Sequence, residues 1–437
     1  MDFPDTFNAG ATLGPVNETN MARIWNKHKQ LNTTLKPKVF VALSGGVDSS
    51  VAAAFLKKEG RFDVIGAHMI CWKGAVARAK TERCAAERDA EDARRVADKL
   101  DIPFYVFDFT EEYRGKVFDY MIGEYRSGRT PNPDVMCNKK IKFGIFLEKA
   151  LALGADFVAT GHYVKLSRCS ALQTGRSLPQ RAKSACVLGK KSAAISSVYK
   201  KTAEPCFFAS ESFSERNTDT LAILQAKDKN KDQSYFLWTL TQNQLKRVLF
   251  PIGDYTKNEV RKMACKFNLP TAEKKDSQGL CFVGKIDFAE FLKSLIPAHK
   301  GAAVSAAGRK IGEHNGAEFY TIGQRHGLGV GGGESPRYVA EKDIKANVIV
   351  MVEKDNPLLY KKELVAGEVN WIAGRAPELP LKCEARVRYR QPLQKARIMD
   401  YKSKIKVVFN KPQRAVAPGQ SVVFYDKKRM LGGGIIC

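Results

Sequence analysis

A run of small, β-branched and aromatic residues, Val39-Phe40-Val41-Ala42-Leu43, leads straight into Ser44-Gly45-Gly46-Val47-Asp48-Ser49-Ser50 and then into a helical stretch from Val51 to Lys58. A glycine-rich turn that opens a helix leaves unpaired backbone N–H groups converging on one point, and such a point binds phosphate. The bland reading of the same letters is a tight turn with a helix cap. Strand, double glycine, acid and helix falling in that order weigh against it.

The turn is neither of the two commonest phosphate loops. One needs a lysine followed by Ser or Thr after its last glycine; the other needs three spaced glycines. Here two adjacent glycines allow close backbone approach to a ligand, three serines offer hydroxyls, and Asp48 supplies a carboxylate suited to holding Mg²⁺ beside phosphates. The segment resembles the pyrophosphate loop of the ATP pyrophosphatases, which split ATP between its α and β phosphates and adenylate a substrate oxygen.

After the loop, Asp63 to Ile70 reads as a strand, Ala85 to Leu100 as an amphipathic helix, Ile102 to Phe109 as a strand, Val117 to Tyr125 and Ile141 to Leu153 as helices, and Phe157 to Thr160 as a strand. Strands alternating with helices predict a doubly wound parallel sheet covered on both faces. Ligands then sit beyond the carboxyl ends of the strands, where the Ser44 loop, Met69 and Gly161-His162 fall. Residues 167–219 are rich in Ser, Ala and Lys without periodicity and read as a flexible insertion. Order resumes near Leu221, with a further helical stretch from Glu259 to Phe267. Beyond one helix, Phe288 to Leu295, the text turns to glycine-punctuated short strands, and from Lys361 strands such as Glu384 to Arg390 and Lys404 to Phe409 suggest a small barrel. The expected organisation is an extension over 1–37, a catalytic α/β domain over 38–284, a small central β-rich domain over 285–360 and a C-terminal β-barrel over 361–437.

The chain has 437 residues and a formal charge of +26, an excess that implies a polyanionic partner, nucleic acid first. A basic protein that is merely soluble is the alternative. No apolar run approaches the roughly 18 to 20 residues of a membrane span. Ten cysteines lie at irregular spacing without one Cys-x-x-Cys, which argues against a zinc ribbon or a secreted disulfide framework. The first twenty residues carry Asp2, Asp5 and Glu18, poor for a transit peptide, whereas the stretch from Met21 to Lys36 is basic and free of acid, as such peptides are.

Two cysteines stand in chemically loaded settings. Thr130-Pro-Asn-Pro-Asp-Val-Met-Cys137-Asn-Lys-Lys joins a proline-restricted entry to an acid, a thiol and a basic helix start. A thiol near a helix N-terminus beside Lys139 and Lys140 should be acidic, and the thiolate is the nucleophile. A buried structural cysteine would want apolar neighbours, and these are polar in sequence. Cys281, in Asp276-Ser-Gln-Gly-Leu-Cys-Phe-Val-Gly284, follows Lys274 and Lys275 in a glycine-flanked loop. Only the fold can bring the pair together.

With these motifs in hand, the chain resembles the tRNA-specific 2-thiouridylases, including their mitochondrial branch, from Lys38 to the C-terminus apart from the insertion. The resemblance is carried by Ser44 to Ser49, Thr130 to Phe143, Ala159 to Tyr163, Lys231 to Leu237, Asp276 to Gly284, Tyr320 to Arg325, Val387 to Gln391 and Pro418 to Ser421. A departure lies at Met69-Ile-Cys-Trp72, where the family usually has Met-Lys-Asn-Trp. The resemblance implies a tRNA uridine 2-sulfurtransferase using ATP and Mg²⁺ to thiolate the wobble uridine, position 34, of tRNAs with Lys, Glu and Gln type anticodons. It implies that Ala42, Leu43, Ser44, Gly45, Gly46, Val47, Asp48, Ser49, Met69 and Gly161 hold ATP, and that Asn132, Pro133 and Asp134 surround the target base. Cys281 would carry a persulfide sulfur delivered by a sulfur-carrier or cysteine desulfurase relay protein. Cys137 would resolve it through a transient disulfide, with Asp134 moving a proton. His162, Lys231, Asp232, Gln233, Arg388, Tyr389 and Gln420 would contact tRNA.

Three alternatives stay open on sequence. ATP-dependent amidation uses the same loop but needs neither paired cysteines nor high positive charge. A non-catalytic RNA-binding module would leave the loop idle. An iron–sulfur cluster held by Cys137, Cys281 and a nearby acid is a third, disfavoured by the lack of a Cys-x-x-Cys. The expected compartment is mitochondrial, with the cytoplasm as the alternative.

Overall fold

Val39, Phe40 and Val41 suit a strand buried on both faces, and β1 (Lys38–Ala42) lies at the centre of a five-stranded sheet. The structure is a computed structural model that describes residues 36–73, 85–169, 220–275, 288–325 and 335–437. From β1 the chain passes through α1 (Val47–Glu59), β2 (Asp63–Ile70), α2 (Ala85–Leu100) and β3 (Phe104–Asp108). It then forms helical runs over 110–126 (α3) and 133–152 (α4) before β4 (Phe157–Ala159). An antiparallel pair follows, β5 (Val164–Cys169) and β6 (Thr220–Gln225), and then β7 (Val248–Leu249) and α5 (Lys257–Lys266).

The sheet order is β3-β2-β1-β4-β7 and every pairing is parallel. The order reverses between β1 and β4, so the loop after β1 and the turn after β4 flank the crevice where such sheets bind ligands. The doubly wound sheet expected from the alternating pattern is therefore the one observed.

Two helices start earlier than their apolar periodicity indicates. α1 begins at Val47, making Asp48, Ser49 and Ser50 its first turn; it ends at Gly60, whose φ of +70° suits glycine. α4 begins at Pro133 rather than near Ile141, because Pro133 occupies the first helical position and the Asn132 side chain caps it, accepting from Val135 N–H at 3.2 Å. Pro133, read as part of an extended entry, is the first residue of the helix, whereas Pro131 precedes it and Asn132 keeps an extended backbone. Residues Asn138–Ile145 of α4 are π-helical, directly after Cys137.

Of the stretch read as a flexible insertion, Ser167, Arg168 and Cys169 are the end of β5, paired with Ala222, Leu221 and Thr220. Residues 170–219 lie outside the described residues, as does the 1–35 extension.

The central unit holds β8 (Gly301–Ser305), β9 (Lys310–His314), β10 (Arg337–Asp343) and β11 (Val348–Glu353) in the order β10-β11-β8-β9. The C-terminal strands are β12 (Tyr360–Trp371), β13 (Leu381–Arg386), β14 (Gln394–Tyr401), β15 (Lys404–Arg414), β16 (Ser421–Asp426) and β17 (Arg429–Ile436). They run β12-β15-β14-β13-β16-β17, and β17 pairs back onto β12, closing a six-stranded antiparallel barrel. β13 stops at Arg386, so residues 387–390, read as strand, form a turn in which Arg390 takes a φ of +63°.

The barrel is welded to the α/β unit. β6 pairs with β17 at Leu224–Arg429 and Ile223–Met430, and Tyr235, Trp238, Val248, Val423 and Tyr425 share one buried apolar cluster.

Candidate active site

The loop after β1 is shaped by its own serines and by two glycines. The Ser44 N–H donates to Ser49 Oγ at 3.1 Å, and the Ser49 and Ser50 hydroxyls donate to the Gly46 carbonyl at 3.1 and 2.8 Å. Gly46 caps α1 without any side-chain hydrogen bond, so the helix's first amides are left to a ligand. A Cβ at Gly45, whose φ is +70°, would stand 2.3 Å from the Asp89 carbonyl oxygen of α2, and one at Gly161 would stand 2.6 Å from Ser49 N. The loop is thus pressed between α2 and the turn after β4 at points where only glycine fits. Beneath it, buried His68 Nδ1 lies 2.8 Å from the Leu43 carbonyl, and burial pushes its imidazole below the ordinary range.

Asp48 has partners that the sequence did not single out. Lys257 Nζ, at the first turn of α5, donates to Asp48 Oδ1 and Oδ2 at 2.7 and 2.9 Å, and the Tyr163 hydroxyl donates to Oδ1 at 2.7 Å. The lysine side chain is 11% exposed and the aspartate side chain 33%. Because Oδ1 takes two donors and Oδ2 one, the partly open carboxylate keeps an acceptor position, enough for the single protein ligand that Mg²⁺ commonly takes beside phosphates. The only sequence signal for Lys257 was Thr256-Lys-Asn-Glu259, the capping box that starts α5.

Cys137 lies deeper than its sequence neighbours suggested. It is fully buried in an apolar cluster with Phe40, Ala42, Met69, Met136 and Ile141. The polar setting inferred from Lys139 and Lys140 is corrected: Lys139 turns toward Glu368 of the barrel, with Nζ 3.8 Å from Oε2, and Lys140 is exposed. Helical rotation turns residue 139 away from 137, and the π-helical stretch from Asn138 shifts residue 140 off the face that it would share with 137 in an α-helix. The same cluster nevertheless includes Ala42 and Met69 of the expected ATP set, at the carboxyl end of β1 and near that of β2. Cys281 falls outside the described residues.

The entry to α4 is clamped from the barrel and from the central unit. Gln420 Nε2 donates to the Thr130 and Pro131 carbonyls at 3.1 and 2.9 Å, Thr130 N–H donates to the Pro418 carbonyl at 2.8 Å, and the Thr130 and Thr321 hydroxyls meet at 3.2 Å. Asn132, Pro133 and Asp134 follow, each half-buried.

The residues expected to touch tRNA divide into two groups. Lys231, Gln233, Arg388, Tyr389 and Gln420 are partly exposed. Arg388 donates to the Ile322 and Ala415 carbonyls at 3.2 and 2.7 Å, and Tyr389 packs on Phe236 with ring centroids 4.5 Å apart.

His162 and Asp232, the other two expected tRNA contacts, are buried in this structure. His162 is packed between Phe143 and Phe250 with Nδ1 2.7 Å from Thr160 Oγ1; burial, then Lys142, drives its imidazole well below the ordinary range. Asp232 accepts from Ala226 N–H, Ser234 Oγ, Gln225 Nε2 and Arg386 Nη2. A polar triplet in a loop gives no sign of which member turns inward.

Residues 37–285 match the family described as the tRNA methyl transferase HUP domain, 289–353 its PRC-barrel domain, and 361–436 the aminomethyltransferase β-barrel domain. The chain is 42% identical over 401 residues to the tRNA-specific 2-thiouridylase MnmA of Geobacillus thermodenitrificans, covering 91% of this chain and 94% of that one. It is 42% identical over 405 residues to MnmA of Francisella tularensis subsp. novicida, covering 91% and 99%.

The chain belongs to the tRNA-specific 2-thiouridylases. These enzymes are tRNA uridine sulfurtransferases of the ATP-using pyrophosphate-loop class. Within Met69-Ile-Cys-Trp72, Cys71 is buried with Met69 in the Cys137 cluster and Trp72 packs on Phe118 with centroids 5.1 Å apart. Among the described residues no group of three His, Cys, Asp or Glu side chains is arranged to hold a metal, and no helix is long and apolar enough to cross a membrane.

Proposed function

We propose that this protein carries out ATP-dependent 2-thiolation of the wobble uridine, position 34, of tRNAs with Lys, Glu and Gln type anticodons. The observation that supports the reading is that Cys137, on the capped helix α4, shares one buried cluster with Ala42, at the end of β1 before the phosphate loop, and with Met69, near the end of β2. Oxide is a hopeless leaving group from C2 of uracil. Attack of the uridine O2 on the α phosphorus of ATP forms an O–P bond and releases pyrophosphate, turning that oxygen into part of AMP. The terminal sulfur of a Cys281 persulfide then attacks C2, and AMP leaves with the C2–O bond's electrons. The Cys137 thiolate attacks Cys281 Sγ, forming a Cys137–Cys281 disulfide and leaving the sulfur on C2; a thiol reductant restores both cysteines. Asp134, three residues before Cys137 on α4, takes the thiol proton.

Asp48 would hold Mg²⁺ at the phosphates, and the ion would supply charge neutralisation for the pyrophosphate leaving group. The target base must leave its stack to reach Asn132, Pro133 and Asp134, a modest cost that a polar pocket repays. Cys281 receives its sulfur from a sulfur-carrier or desulfurase relay protein. Amidation is disfavoured because it has no use for a thiol at the sheet's ligand end. The basic, acid-free stretch from Met21 to Lys36 supports a mitochondrial location, tested by imaging a C-terminally tagged protein, with cytoplasmic signal as the contrary result.

The test is mass spectrometry of nucleosides from tRNA incubated with the protein, ATP, Mg²⁺ and a persulfide donor. Sulfur at position 34, lost in both Cys137→Ser and Cys281→Ser while ATP and tRNA still bind, is expected. Sulfur at another uridine, or undiminished in Cys281→Ser, overturns the assignment.

A further inference from the structure

The turn between β14 and β15 is an exposed basic and aromatic feature of the barrel. Tyr401 is 43% exposed and is one of four large hydrophobic side chains so exposed among the described residues. Lys402, Ser403 and Lys404 complete an exposed turn, with Lys402 at a φ of +53°. Neither lysine is ion-paired among the described residues, in contrast to Lys406, which holds Glu363 at 2.9 Å. The turn, with Val365 and Cys437, walls an open cavity of about 480 Å³.

A chain of contacts joins this turn to the entry of α4. A Cβ at Gly367 would lie 3.9 Å from Lys404 Cε and 3.4 Å from Cys437 Sγ, so these three meet at one spot. The next residue, Glu368, reaches Lys139 on α4. On the other side, Cys437 N–H donates to Val365, and the preceding Ile436 carbonyl accepts from Gly419 N–H at 2.8 Å. A Cβ at Gly419 would in turn stand 2.8 Å from the Thr130 carbonyl, and the neighbouring Gln420 holds Thr130 and Pro131. The Tyr401 turn is therefore joined, through the end of β17 and the Gly419–Gln420 turn, to the clamped 130–133 segment.

We infer that Tyr401, Lys402 and Lys404 form a substrate-RNA contact beyond the target-base pocket, in which the phenol ring stacks on an unpaired base and the two ammonium groups meet flanking phosphates. Lysines gain affinity by releasing counterions from phosphate, and an exposed ring offers a face to any base. The pairing of both on one turn is what a single-stranded segment needs, whereas a phosphate-only contact would leave the aromatic without a purpose. The net charge of +26 makes RNA the occupant favoured over an acidic peptide, which would use the lysines but not the ring.

This inference rests on the tRNA-thiolation reading, and its test separates the two. Binding of unmodified tRNA transcript to the full-length protein is measured across a salt series for wild type, Tyr401→Ala, Tyr401→Phe and Lys402→Glu/Lys404→Glu. Tyr401→Ala is expected to weaken binding about tenfold with an unchanged salt slope, and Tyr401→Phe to restore it. The double lysine variant is expected to weaken binding more than tenfold at low salt and to flatten the log–log slope by roughly 1.5. ATP binding and the thermal transition, followed as folding controls, should match wild type. Unchanged affinity and slope in both Tyr401→Ala and the lysine variant overturn the contact while leaving thiolation standing. Wild type that binds no tRNA overturns the functional reading and the contact with it.

Discussion

Replacing Arg386 by methionine is expected to destabilise the junction between barrel and α/β unit without touching the RNA surface. The Asp232–Arg386 pair is among the most enclosed ionic contacts described, with side chains 1% and 5% exposed and N···O at 3.3 Å. Removing one partner of a buried pair leaves the other charge uncompensated, at about 3–5 kcal/mol. Asp232 keeps donors from Ala226, Ser234 and Gln225, and Arg386 Nε already lacks a partner, which together place the loss at the lower end, about 3 kcal/mol. Arg386 also lies over the Tyr425 ring, 4.7 Å from its centroid, so methionine, which fills most of the same volume, isolates the charge term. The assay is urea unfolding followed by fluorescence of Trp238, which is buried in the same cluster as Tyr425. Asp232→Asn/Arg386→Met, with both charges gone, should lose less than the sum of the single changes, by about 1 kcal/mol or more. A loss below about 1 kcal/mol for Arg386→Met refutes the argument, as does an Asp232→Asn variant that keeps full stability but loses tRNA affinity.

Three further perturbations probe the nucleotide site and its surroundings. Lys257→Ala removes the cation that grips Asp48 and is expected to raise the KM for ATP about tenfold or more, roughly 1.4 kcal/mol, with tRNA affinity unmoved; an unchanged KM makes the pair merely structural. Gly161→Ala drives a Cβ into the Ser49 amide and should abolish nucleotide binding while tRNA binding persists; ATP binding at wild-type strength would contradict the close approach. His162 is held neutral, with its folded-state value below the ordinary 6.5, so the unfolded chain takes up the proton first and stability falls as pH drops below about 6.5. His162→Gln should flatten the unfolding midpoint between pH 6.5 and 4.5, and a midpoint that keeps the wild-type slope there would show that His162 does not titrate against folding.

Legibility tracked how local the governing physics is. The bounds of β2 and α2 agree with their apolar patterns, because alternation and helical periodicity act within one element. The start of α4 was missed because Pro133 could be an extended residue or the first of a helix, and the cap at Asn132 resolves that only through geometry. The loop from Ser44 to Ser50 could be read because glycine and serine spacing alone determines where amides point. Lys257 could not, since its meeting with Asp48 spans 209 residues of chain.

The amino-acid order by itself determined an α/β sheet with a phosphate loop at a strand end, a β-rich second half and two cysteines worth suspecting, since each follows from patterns within a few residues. Tertiary structure alone decided which polar residues face inward. It buried Cys137, His162 and Asp232, joined Lys257 to Asp48, and placed Gln420 on the loop that precedes the thiol. Burial and partnership depend on segments that the sequence separates widely and only the packed sheet and barrel bring within hydrogen-bonding distance.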